Sequence, residues 1–139
     1  MESYVKKTIE LYSDSEFGTL KDVLLCPPKF MKIREVINET QKHYLNENID
    51  TNLASKQHQQ LVDTLQQHQI RTHLLTAQPE LPEQVFTRDI GFTVGNTLFS
   101  AQMKRKIRQG ESIYFHQWLD KSGLKAIDMN DEIEGDEVI

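Results

Sequence analysis

The apolar residues of this chain fall into short runs whose spacing alternates between that of strands and that of helices. Leu20 to Cys26 (LKDVLLC) is an apolar run stopped by Pro27-Pro28, the pattern of a buried strand ended by residues that cannot continue a ladder. From Lys29 to Asn52 the pattern is mixed and polar, which predicts a long loop with one short helix around Arg34 to Thr40. Ala54 to Gln69 places Leu61, Val62 and Leu65 on one face among glutamines, the spacing of a narrow amphipathic helix, and Arg71 to Thr76 reads as a strand. Beyond Pro79 and Pro82, Val85 to Thr93 and Thr97 to Ala101 are β-rich runs with Gly95-Asn96 as the hairpin turn between them. Glu111 to Lys121 predicts a helix with Ile113, Phe115, Trp118 and Leu119 facing a core, stopped by Gly123, and Leu124 to Met129 predicts the strand that follows.

Strand, helix, strand over 20–76 and hairpin, helix, strand over 85–129 make two copies of one ββαβ unit, the first with a degenerate opening. A third unit begins in EIEGDEVI, where Ile133, Val138 and Ile139 stay apolar around a Gly despite the acidic setting, and the chain is expected to break off inside a domain at Ile139. Residues 1–139 are therefore expected to be part of a single α/β domain.

Composition narrows the function classes. Sixteen Lys and Arg against 21 Asp and Glu give a net charge of -5, which disfavours adhesion to nucleic acid or to an anionic membrane. The single cysteine, Cys26, excludes an internal disulfide framework and a multi-thiolate zinc site, and fits a reducing cytoplasm. No run reaches the ~18 apolar residues of a membrane span, so neither a signal peptide nor a transmembrane helix is expected. His58, His68 and His73 do not share a face at ligand spacing, and no metal site is expected from them.

The densest chemical constellation is Glu83, Phe86, Arg88 and Asp89, followed by Arg108 and then Glu134-Gly135-Asp136. A charged Arg-Asp pair within a run as apolar as VFTRDIGF is costly to bury unless something pairs with it. An internal salt bridge and a strand-end pair facing water both satisfy that requirement. Arg108 can equally be one more charge in the basic run KRKIR, and Glu134 an exposed acid among acidic neighbours.

Four segments carry a further meaning: EFGTLKDVLLCPP near the start, VFTRDIGFTVGNTLFSA in the middle, RQGE at 108–111, and IEGD at 133–136. In their order and spacing, including the 19-residue step from Asp89 to Arg108, they resemble the opening half of the guanidino-group modifying enzymes: arginine deiminases, dimethylarginine dimethylaminohydrolases and amidinotransferases. That resemblance implies an α/β propeller of the pentein type, built from ββαβ blades, of which this chain holds about two and a half of five. It implies that Asp89 grips the substrate guanidinium, that Phe86 packs against the same cation, and that Glu83 lies near the substrate's amino-acid end. It implies that Arg108 binds the substrate α-carboxylate bidentately and that Glu134 orients a catalytic histidine. Arg88 agrees with the arginine of the deiminase branch.

The chemistry of that family needs a cysteine thiolate to attack the guanidinium carbon and a histidine to protonate the departing amine. In the family both follow the EGD segment, and neither position exists in this chain. Cys26 is expected to be a buried structural thiol and His116 a helix-surface residue. The expectation is thus the N-terminal portion of a hydrolase or amidinotransferase acting on an arginine-like small molecule through a thiouronium intermediate, silent by itself. Thiolate, imidazole and carboxylates suffice for that reaction, so no metal or organic cofactor is implied. The alternative is a non-catalytic binding module of the same architecture, as in a ribosome-subunit factor, with KRKIR as a contact surface. A propeller cut after two and a half blades is also expected to self-associate or to pair with its missing C-terminal half.

Overall fold

The computed structural model describes residues 9, 11–13, 18–33 and 48–129. The helix expected around Arg34 to Thr40 and the third unit, with Glu134, lie outside the described residues.

β1 (Asp22–Leu25) and β2 (Arg71–Leu74) pair in parallel, with Val23 opposite Thr72 and Leu24 opposite His73. Parallel neighbours need a crossover, and α1 (Thr51–Gln67) supplies it. Asp50 caps α1 by accepting from the Leu53 amide at 3.1 Å, and the chain leaves the helix through Gln69 at a φ of 62°. Val62 is the buried residue of α1, whereas Leu61 is 47% exposed, so the helix rests on a narrower stripe than its leucines suggest.

The second unit opens with the expected hairpin. β3 (Gly91–Val94) and β4 (Thr97–Ser100) are antiparallel, turning through Gly95 at a φ of 60°, a conformation glycine adopts without a Cβ penalty. A short helix, α2 (Lys106–Gln109), runs directly into α3 (Glu111–Ser122), and Gly123 in the left-handed region ends α3. β5 (Ala126–Asp128) then pairs in parallel with β4. The result is a two-stranded sheet, β1-β2, and a three-stranded sheet, β3-β4-β5, with no closed barrel among the described residues. Ahead of β1, Ser13 bridges to Gly95 through reciprocal amide-carbonyl bonds of 2.8 and 2.7 Å, so the segment preceding the first strand pairs with the hairpin of the second unit.

Both units contribute to one core. Cys26 and Leu75 from the first pack with Ile90, Leu98, Ala101, Met103, Phe115 and Leu119 from the second. Gly91 is where that core is tightest: a Cβ there would lie 2.8 Å from the Phe99 carbonyl oxygen and 3.0 Å from the Phe115 ring.

Two local expectations are corrected. Val85 to Ile90 is not strand; the chain makes turns and a 3-10 helix over Thr87–Asp89, and β3 begins at Gly91. The cause lies in side chains that capture what a ladder would use: the Thr87 hydroxyl donates to the Leu24 carbonyl at 2.8 Å, and Arg108 donates to the Phe86 carbonyl at 3.1 Å. On α3, Ile113 is 59% exposed, and the fully buried stripe is Glu111, Phe115 and Leu119 at i, i+4 and i+8. The stripe thus starts with a carboxylate, while Ile113 faces outward. No helix among the described residues is long and apolar enough to cross a membrane.

Candidate functional site

The segment 76–89 is stitched into a compact strap before it reaches β3. The buried Gln84 side chain donates to the Thr76 carbonyl at 3.3 Å and accepts from the Gln78 amide at 2.9 Å. Amides of Gln84, Phe86 and Asp89 donate three residues back, to Leu81, Glu83 and Phe86. This coiling turns the Glu83 and Phe86 carbonyls and the Asp89 carboxylate toward α2, and α2 presents Arg108 to them. At the junction of α2 and α3 a Cβ on Gly110 would lie 3.1 Å from Leu81, so a small residue lets the helices approach the strap.

Arg108 is the centre of the cluster, and it is 5% exposed. Its Nε donates to Glu111 Oε2 at 2.9 Å and its Nη2 to Glu111 Oε1 at 2.9 Å, a bidentate pair of parallel bonds. Nη1 donates to Asp89 Oδ2 at 2.6 Å, and Nη2 also reaches the Phe86 carbonyl at 3.1 Å and the Glu83 carbonyl at 3.4 Å. The Phe86 ring lies 5.8 Å from the guanidinium carbon, within cation-π range, and is itself 41% exposed.

One cation thus sits among carboxylates in a poorly hydrated place. Burial by itself would lower the Arg108 pKa, but the hydrogen bonds and charges of Glu111 and Asp89 more than offset it and leave it raised. Burial pushes the Glu111 carboxyl above its ordinary value although Arg108 pulls the other way, and the charges of Glu83 and Asp89 add to the rise. Cys26 feels the same environment: burial, then the Glu111 charge, pushes its thiol up to about 12. A thiol that holds its proton so firmly is a poor nucleophile at neutral pH.

Of the residues singled out in the sequence, the fold brings Glu83, Phe86, Asp89 and Arg108 together from a strap and a helix 19 residues apart. Glu83 is buried. Arg88 points elsewhere: it is exposed and lines a cleft of about 850 Å³ between the units, together with Asp22, His73, Phe92 and Trp118. His116 lies on α3 with Nε2 3.2 Å from both Ser100 Oγ and Asp128 Oδ1. Among the described residues no group of His, Cys, Asp and Glu could hold a metal ion. The residue that sequence reasoning missed is Glu111. Its signal was an acid three positions after an arginine, the helical spacing at which the two side chains meet.

Comparison with known proteins places the chain in a family. The family model for N,N dimethylarginine dimethylhydrolase, eukaryotic, matches residues 27–138, which include the strap and α2. The uncharacterized protein YkgA of Bacillus subtilis is 45% identical over 126 residues, covering 90% of this chain and 44% of that protein. The bifunctional arginine dihydrolase/ornithine cyclodeaminase AgrE of Nostoc is 30% identical over 106 residues, 76% of this chain and 15% of that protein. Among solved structures, the product-bound N-terminal domain of ArgZ, an arginine dihydrolase from cyanobacteria, superposes with a TM-score of 0.71 at 25% identity, covering 84% of this chain and 43% of that one. The chain spans less than half the length of the curated relatives it matches. With the match running through the strap, the Asp89–Arg108 pair and the hairpin, the chain belongs to the dimethylarginine dimethylhydrolase family within the guanidino-group modifying superfamily.

Proposed function

We propose that this chain forms the N-terminal portion of an enzyme that hydrolyses or transfers the guanidino (amidino) group of arginine or a methylated arginine. The observation that carries the reading is the buried Asp89–Arg108–Glu111 cluster inside the region matched to that family. One arginine faces two carboxylates, so the cluster retains negative charge, and the Glu83 carboxyl nearby adds to it. Such a site attracts a cationic guanidinium. A carboxylate has lone pairs on both oxygens, so Asp89 can hold Arg108 through Oδ2 and offer Oδ1 to a substrate guanidinium. Phe86 is exposed enough for its outer face to meet the same cation, and Glu83 would lie toward the substrate's amino-acid end. Arg108 would bind the α-carboxylate, and Glu134 would orient the catalytic histidine.

In the proposed reaction a cysteine thiolate attacks the guanidinium carbon and forms a thiouronium, the histidine gives its proton to the departing amine, and water then releases the product in hydrolysis. Residues outside this chain supply both groups in this reading, because Cys26 is fully buried and firmly protonated. The relatives named as arginine dihydrolases support hydrolysis over transfer. The propeller with its remaining blades, and pairing of residues 1–139 with a C-terminal half that covers the cleft, belong to the same proposal.

The test is activity. Purified residues 1–139 should release neither citrulline nor ornithine from L-arginine or its Nω-methylated forms, and the complete enzyme, with the downstream His and Cys, should release one of them. A complete enzyme without turnover on any of these compounds sinks the reading, and turnover by residues 1–139 that vanishes in Cys26→Ser makes Cys26 the nucleophile instead. Light scattering during size exclusion tests the assembly: a monodisperse 16.2 kDa monomer with cooperative unfolding would show that no partner surface is needed.

A further inference from the structure

We propose that Glu111 is a positioning residue for substrate binding: its carboxylate locks the Nε/Nη2 edge of Arg108, so that only the Nη1 amino group is presented to a substrate carboxylate. The inference rests on the reading above and specifies how Arg108 takes part in it.

A guanidinium offers its N–H donors in a planar fork, and a two-pronged grip on a carboxylate uses one edge of that fork. In this protein the Nε/Nη2 edge is already taken by both oxygens of Glu111, at 2.9 Å each. The remaining Nη2 donor is shared between the Phe86 and Glu83 carbonyls. Nη1 has one bond, to Asp89, and its second N–H has no acceptor among the described residues. A substrate α-carboxylate therefore meets Arg108 through Nη1, beside Asp89 and not across the bidentate edge. Specificity for a ligand that keeps its α-carboxylate then depends on where that single donor points. Glu111 sets the direction: it is 1% exposed, opens α3 with its side chain in the core, and sits three positions from Arg108 across the α2–α3 junction. An arginine tied by two parallel bonds cannot swing its Nη1 group, whereas one held only by Asp89 and the Phe86 and Glu83 carbonyls lacks the parallel pair that fixes its plane.

The complete enzyme provides the test, with L-arginine as substrate and butylguanidine, which lacks the carboxylate, as competitive inhibitor. Glu111→Gln retains the shape of the side chain but accepts through one atom only. The expected result is a rise of about tenfold in KM for L-arginine, the loss of one charge-assisted hydrogen bond. The inhibition constant of butylguanidine and kcat should both stay within about twofold of wild type. If the Gln variant does not fold, Glu111→Asp keeps the charge with one methylene fewer, and should shift the same constant in the same direction by a smaller factor. Equal weakening of L-arginine and butylguanidine, or no change in either, would reduce Glu111 to a stability role and overturn the inference while the proposed function stands. A wild-type enzyme that turns over no arginine derivative overturns both.

Discussion

Replacing Arg108 by Met isolates what the buried cluster contributes. The substitution keeps a stem of similar length and removes every hydrogen bond the guanidinium makes, to Glu111, Asp89 and the carbonyls of Phe86 and Glu83. Asp89 retains some access to water, with a side chain 16% exposed, but the Glu111 side chain is 1% exposed and cannot recruit a replacement. Breaking a buried ion pair from one side costs about 3–5 kcal/mol, because the surviving charge is left uncompensated. For a chain of this size that is a drop in Tm of about 10 °C or more.

The loss should also depend on pH, with a definite sign. Glu111 is already raised above 4.5 by burial against the pull of Arg108. Removing Arg108 deletes the lowering contributions, so the folded-state pKa climbs further. A carboxyl with a folded pKa above its unfolded value gains a proton on folding, and its relative stabilisation is present below the unfolded pKa and is lost as pH rises toward the folded one. Arg108→Met should therefore be less damaging at pH 5 than at pH 8, by about 1.4 kcal/mol for each further unit of rise. Urea unfolding of wild type and variant at the two pH values measures this. The double variant Arg108→Met/Glu111→Gln removes the titrating group and should show an equal deficit at both. A single-variant deficit below about 1 kcal/mol, or one that does not change between the two pH values, would refute the account of a buried, charge-locked cluster.

Other predictions concern single sites. Cys26 should resist a thiol reagent at pH 8 until the protein unfolds, because it is 0% exposed, and rapid modification of the native protein would contradict that burial. Its raised pKa adds stability that is complete below the ordinary thiol value of 9.0 and is lost as pH rises toward about 12, so alkaline unfolding should begin earlier in wild type than in Cys26→Ala relative to each protein's stability at pH 7. Gly91→Ala forces a Cβ against the Phe99 backbone and the Phe115 ring and should cost about 1–3 kcal/mol in thermal or urea unfolding; a neutral effect would mean that β3 can shift away from α3. Gly123→Ala meets no atom within 4 Å but must hold a φ of 69°, so about 1–2 kcal/mol should be lost to backbone strain alone.

Local chemistry made much of this fold legible in the residues. Pro27-Pro28 ends β1, Gly95 turns the hairpin, Gly123 stops α3, and the apolar runs before and after each helix mark the parallel partners, because these signals act over a few residues. The residues FTRD and the step of 19 to Arg108 likewise marked a guanidino-enzyme segment before any coordinates, and the family match agrees with it. What the residues alone left open was which groups satisfy one another. VFTRDI has the composition of a strand, yet Arg108 takes its Phe86 carbonyl and its Thr87 hydroxyl bonds the Leu24 carbonyl, contacts 22 and 63 residues apart in sequence, and no local propensity carries that information. Ile113 missed its expected place in the core for a related reason: periodicity ranks an isoleucine as core and a glutamate as surface, until a buried arginine makes the Glu111 carboxylate a compensated group to bury. Hydrophobic pattern is a property of the chain, whereas the pairing of buried charges exists only once distant segments have been brought together.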